Sequence, residues 1–153
     1  MLVLNEALVL LNLEAPDARA VIEALAGRLH AQALVSADYG QQTYTRELEH
    51  PTGLPTKPFC IAFPHADAQG VHESALAVAV LRHPVPFRNM GDAEEELLVS
   101  VVLMLANKSP QEQVQTLRNL ALLFGQPDKL AALRAQVDPP AAVTWLKQEL
   151  GLS

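Results

Sequence analysis

Two short apolar runs constrain this chain more than anything else in it. Residues 75–81 (ALAVAVL) and 97–105 (LLVSVVLML) are too short for helices that must also face solvent. They are β-branched and apolar on successive positions, as strands buried on both faces are. Such strands need helices above and below the sheet, and the chain carries the periodicity for them. After Pro16-Asp17, the residues Val21, Ile22, Leu25 and Leu29 fall at helical spacing, which predicts a helix over about 17–32. A shorter helix follows Ser36, a residue able to cap free N–H groups, and ends near Leu48. Residues 7–13 and 59–63 read as two further short strands.

The C-terminal third reads as helices. Ser109-Pro110-Gln111-Glu112 has the pattern of a capping box with proline at the first helical position. Val114, Leu117, Leu120 and Phe124 form the expected buried stripe, and Gly125 sits where a left-handed C-terminal residue is expected. Pro127-Asp128 opens a helix to about Gln136, and Asp138-Pro139-Pro140 opens the last, which stops at Gly151. Between the second helix and the 59–63 strand, residues 50–58 hold three prolines and a glycine, which predicts an irregular loop of constrained shape. The 153 residues suffice for one sizeable core and not two. The expectation is a single α/β domain over residues 1–153, a mixed β-sheet flanked by helices on both faces.

Charge and cysteine content narrow the function. Eleven Lys and Arg against seventeen Asp and Glu give a net charge of -6, which disfavours nucleic acid and anionic membranes as partners. The longest apolar run, 97–106, is about half a bilayer span, so no membrane insertion is expected. A single cysteine, Cys60, leaves no internal disulfide framework and no thiolate-rich zinc site, and residues 1–6 show neither a basic n-region nor a cleavage signal, so no signal peptide is expected. A cytoplasmic protein is the expectation.

Of the five histidines, His30 and His83 read as ordinary surface residues, and His50 and His72 as loop residues. His65 differs because it follows Pro64 at the end of an apolar strand, where a stiff support presents a side chain at the rim of the sheet. A neutral imidazole offers one unprotonated nitrogen as nucleophile while the other is fixed by a hydrogen bond. Metal binding through His65, Asp67 and His72 competes, without the spacing of any strong metal motif. No G-x-S-x-G, G-x-x-x-x-G-K-[ST] or G-x-G-x-x-G is present, which removes the familiar serine-hydrolase and nucleotide cradles. What remains for phosphate is transfer between proteins, with Arg46 as a candidate fork for phosphoryl oxygens, although from the residues alone a solvated helix-end arginine is the stronger reading.

The combination Arg46-Glu47, Pro51-Thr52-Gly53-Leu54, Ile61-Ala62-Phe63-Pro64-His65-Ala66-Asp67 and Pro84-Val85-Pro86-Phe87-Arg88-Asn89-Met90-Gly91 resembles one family. It is the enzyme IIA component of the bacterial phosphoenolpyruvate-dependent sugar phosphotransferase system, fructose/mannitol class, galactitol-type branch. Leu103-Met104-Leu105-Ala106, then Gln113 and Leu117, extend the likeness over nearly the whole chain. The resemblance implies a type-2 IIA domain and a phosphohistidine on His65, with Arg46 beside it. It further implies the phosphocarrier protein HPr as donor and a cysteine of a cognate enzyme IIB as acceptor. Thr52, Gly53 and Leu54 would form the phosphate- or partner-binding loop, and Phe63, Leu54 and Met90 an apolar docking rim. No metal and no cofactor is implied. Many members carry a second histidine near the start of the helix after the last long strand. Gln111 is the matching residue here, with Gln113 as the alternative occupant, and a glutamine can donate to a phosphoryl oxygen but carries no charge. Two other readings stay open: a regulatory IIA-like module signalled by phosphorylation of His65, and a metal-dependent hydrolase.

Overall fold

The alternation within the two apolar runs is what organises the molecule, a computed structural model that describes residues 2–152. The runs are the inner halves of β4 (Ala75–Asn89) and β5 (Asp92–Ala106), which form one long antiparallel hairpin. Along β4, Ala75, Ala77, Ala79 and Leu81 point to one core, and Leu76, Val78 and Val80 to the other. Side chains of period two thus feed both faces of the sheet, and both faces are covered. Over the first face lie α1 (Ala18–Ala31), with Val21, Ile22, Leu25 and Leu29 buried, and α2 (Tyr39–Glu49). Over the second lie α3 (Val114–Phe124), α4 (Pro127–Arg134) and α5 (Pro139–Leu150), which bury Leu120, Leu130, Leu133 and Leu146.

The five-stranded sheet is mixed, as expected. β1 (Val9–Leu13) runs parallel beside β4, and β3 (Cys60–Ala62) runs parallel beside β5. The two-residue β2 (Gly53–Leu54) is antiparallel to β3 and also meets β4 where Gly53 faces Asn89. Among the described residues no helix is long and apolar enough to cross a membrane.

Several local expectations are corrected. Residues 50–58 contain β2, so the loop is regular at its centre. The strand expected at 7–13 begins with a single 3-10 turn, Glu6–Leu8, capped by the Asn5 side chain. β4 does not stop before Pro84 but continues past Pro84 and Pro86 after a register shift between Val80 and Val85. Beyond Leu81 no β1 residue pairs with β4, and β2 joins it only at Asn89, so this stretch is a sheet edge, where proline is tolerated. Ser109 makes no capping bond. Residues Pro110–Gln113 form a 3-10 turn, and α3 begins one turn later than the capping box implies. Of the expected stripe Val114 is exposed, Leu117 and Phe124 are half-buried and Leu120 is buried, with Leu123 beside it in the core. Gly125 has φ -87°, a conformation open to any residue, whereas Gly151 is left-handed at 67° and ends α5.

Candidate functional site

His65 leaves the end of β3 through Phe63 and Pro64, and its ring turns back on its own backbone. Nδ1 lies 3.0 Å from the Phe63 carbonyl oxygen. A carbonyl only accepts, so Nδ1 carries the hydrogen and Nε2 is the unprotonated nitrogen of the neutral ring. His65 is half-buried and lines a cavity of about 260 Å³ together with Phe63, Ala66, Leu105, Asn107 and Leu117. The wall is mostly carbon, stiffened by the Phe63 ring, which packs edge-on against Phe124 at 5.6 Å between centroids. Asn107 is the polar exception: its Oδ1 is buried without a hydrogen-bond partner. Such an orphan atom is costly in a purely structural setting.

The opposite flank belongs to α2. The buried Tyr39 hydroxyl accepts the Ala66 N–H at 3.3 Å, and burial pushes its phenol pKa up. Arg46 donates to Asp67 at 3.3 Å. With Arg46 39% and Asp67 82% exposed, that pair is held in water and weakly. Arg46 therefore stands beside the His65 segment, engaged with Asp67 rather than with the ring. A second, polar cleft of about 520 Å³ includes Arg46, His50, Ala66 and Asp67, so Ala66 is the ridge between it and the His65 cavity.

The remaining expected site residues lie elsewhere. Thr52 is buried, donating its N–H and hydroxyl to the Glu47 carboxylate at 2.8 and 2.7 Å and accepting the Phe63 N–H at 3.2 Å. Gly53 is buried and must be glycine, because a Cβ there would lie 2.5 Å from the Arg88 carbonyl oxygen. Both residues support the site from within and line neither cavity. Leu54 packs into the α3–α5 core, and Met90 is exposed at the hairpin tip, so the apolar wall at His65 consists of Phe63, Leu105 and Leu117 instead. Gln111 is exposed, with its Oε1 accepting from Ser109 at 3.2 Å, and Gln113 is buried with its Oε1 accepting from Thr116 at 3.1 Å. Neither glutamine lines the His65 cavity.

The metal set is dispersed. Asp67 is paired with Arg46, and His72 Nδ1 is turned to the Ala33 carbonyl at 3.2 Å. Among the described residues no group of three His, Cys, Asp or Glu side chains could hold an ion. Sequence reasoning gave no role to Asn107 or Tyr39, and Glu47 entered only through the Arg46-Glu47 motif. For the two α2 residues a further signal was the spacing Tyr39, Thr43, Glu47, one inward face of the helix.

Fold and site together define a class. The family model described as "Phosphoenolpyruvate-dependent sugar phosphotransferase system, EIIA 2" matches residues 2–149, and the chain belongs to that family. It is a phosphocarrier component of a sugar phosphotransferase system. It is 31% identical over 119 residues to the galactitol-specific EIIA component of Escherichia coli (strain K12), covering 76% of this chain and 77% of that protein. A 34% identity over 122 residues relates it to the transcriptional regulator ManR of Bacillus subtilis (strain 168), covering 78% of this chain and 17% of the regulator. Its fold is that of enzyme IIAMTL solved in complex with phosphorylated enzyme IIBMTL from Escherichia coli. That match has a TM-score of 0.73, 18% identity and 99% coverage of both chains.

Proposed function

We propose that this protein accepts a phosphoryl group from HPr on Nε2 of His65 and passes it to a cysteine of a cognate enzyme IIB, in the cytoplasm, for uptake of galactitol or a related sugar. The observation that carries this reading is the ring geometry: with Nδ1–H committed to the Phe63 carbonyl, Nε2 is the nitrogen with a free lone pair. In the first step the bond from phosphorus to the donor breaks as the Nε2–P bond forms. In the second, the IIB thiolate attacks and the Nε2–P bond breaks, returning the imidazole to its starting state. Arg46 supplies charge to the phosphoryl oxygens in both steps. Releasing it from Asp67 costs little, because the pair is solvent-exposed. The apolar wall of Phe63, Leu105 and Leu117 suits brief docking of two successive partners.

The likeness along 77% of the galactitol-specific component supports transport over signalling. The test is incubation with phosphoenolpyruvate, enzyme I and HPr, read by intact mass and acid lability. One acid-labile phosphoryl group, lost in His65→Ala, is expected. No incorporation by the wild type, when a second IIA in the same mixture is phosphorylated, would overturn the reading.

A further inference from the structure

Two charged neighbours at the end of α2 point in opposite senses: Arg46 reaches outward to Asp67, whereas Glu47 turns inward and is 7% exposed. A carboxylate buried this far needs hydrogen bonds to offset its lost hydration, and Thr52 provides two. Its N–H donates to Oε2 at 2.8 Å and its hydroxyl to Oε1 at 2.7 Å. The carboxylate can only accept, so the single hydroxyl hydrogen is spent on it and Oγ1 is left as an acceptor. That acceptor takes the Phe63 N–H at 3.2 Å, a hydrogen the Thr52 carbonyl shares at 3.3 Å. The other polar end of Phe63, its carbonyl, holds Nδ1 of His65 at 3.0 Å. The carboxylate fixes the sense of the Thr52 hydroxyl, and the hydroxyl in turn holds the Phe63 N–H, so what reaches the imidazole is the position of the Phe63 carbonyl.

We infer that Glu47 and Thr52 are positioning residues for His65: by clamping the Phe63 backbone they hold the carbonyl that keeps the ring in its Nδ1–H form with Nε2 free. The inference rests on the reading of His65 as the phosphoryl acceptor. Cavity and clamp are separate parts of the site, since neither Glu47 nor Thr52 lines the cavity. A buried carboxylate that served the 50–52 turn alone would be satisfied by the Thr52 N–H and would leave the ring indifferent to the hydroxyl.

The test is the ¹⁵N signature of the His65 ring at a pH where it is neutral, with phosphoryl acceptance measured alongside, in Thr52→Ser, Thr52→Val and Glu47→Gln. Thr52→Ser keeps the hydroxyl and stays within about twofold of wild type in both readouts. Thr52→Val removes it, raises the Nε2–H fraction of the neutral ring severalfold and slows phosphoryl acceptance about tenfold, as for one lost hydrogen bond. Glu47→Gln offers one acceptor to two Thr52 donors and moves both readouts the same way by less. It decides the matter if Thr52→Val does not fold. A ring signature and rate equal to wild type in the folded variants overturn the inference. The ring signature needs no partner protein, so the two claims fail separately. A wild type that takes no phosphoryl group while Thr52→Val shifts the ring sinks only the carrier reading. A phosphorylated wild type whose ring ignores Thr52 sinks only the clamp.

Discussion

On one flank of His65 the chain is met by polar atoms, and on the other by carbon. Tyr39, Arg46 and Glu47 of α2 act on residues 66, 67 and, through Thr52, 63, which brackets the histidine from both sides in sequence. Opposite them Phe63, Leu105 and Leu117 wall a cavity in which Asn107 is the polar residue beside His65. Directional bonds fix an orientation, whereas apolar contact fixes only a distance, so the two flanks do different work. The α2 flank holds the backbone on which the ring leans, and the apolar flank leaves a cavity beside the ring.

If this division is right, substitutions on the two flanks separate stability from transfer. The largest loss of stability comes from the carbon side. Leu105, 3% exposed, is part of the core beneath the cavity, and Leu105→Ala costs about 2–5 kcal/mol in chemical denaturation. Arg46→Gln does the reverse. It slows phosphoryl acceptance about a hundredfold, as removal of one charge-stabilising donor does, and changes stability by under about 1 kcal/mol because the Asp67 pair is exposed. Equal losses of rate and stability there would break the comparison.

A smaller effect sharpens it. Gly53→Ala must move the Arg88 carbonyl, costs about 1–3 kcal/mol, and speeds hydrogen exchange at the Met90 N–H, which donates to the Gly53 carbonyl at 2.8 Å. Transfer falls only as far as β2 loosens Thr52. The smallest effect is in pH. Burial raises the Glu47 pKa, and the bonds from Thr52 offset this only in part. The native state therefore holds this proton more tightly than the unfolded chain. The contribution to stability is full below the ordinary glutamate range and is lost as pH rises through the native value. Denaturation at a series of pH values shows wild type losing ground to Glu47→Gln across that window. A parallel pair of curves would mean that Glu47 is not buried in the way described.

The sheet was legible because its signal is local. The inner runs of β4 and β5 are apolar on every residue but Ser100, and only a two-faced sheet can bury both sets. The outer half of the hairpin was hidden by Pro84 and Pro86, which read as a stop, although Val85 and Phe87 alternate with exposed neighbours as an edge strand does. The apparent capping box at Ser109 misled because its hydroxyl donates to the Gln111 Oε1 instead of accepting a backbone N–H. At the site, Pro64-His65 was singled out by position in the chain and by resemblance, and Arg46 for its charge and by resemblance. The Glu47–Thr52 pair could not be read. Its bonds form only when α2 and β2 are brought together, and neither residue type announces burial.

The most direct test of the account is where the phosphorus sits. With ¹⁵N-labelled histidine in the phosphorylated protein, phosphorus–nitrogen coupling assigns the bond to one ring nitrogen. The geometry requires Nε2, since Nδ1 is held by the Phe63 carbonyl. Coupling to Nε2 of His65, with Nδ1 still protonated, is the predicted result. Coupling to Nδ1, or a phosphoryl group on any other residue, would contradict it.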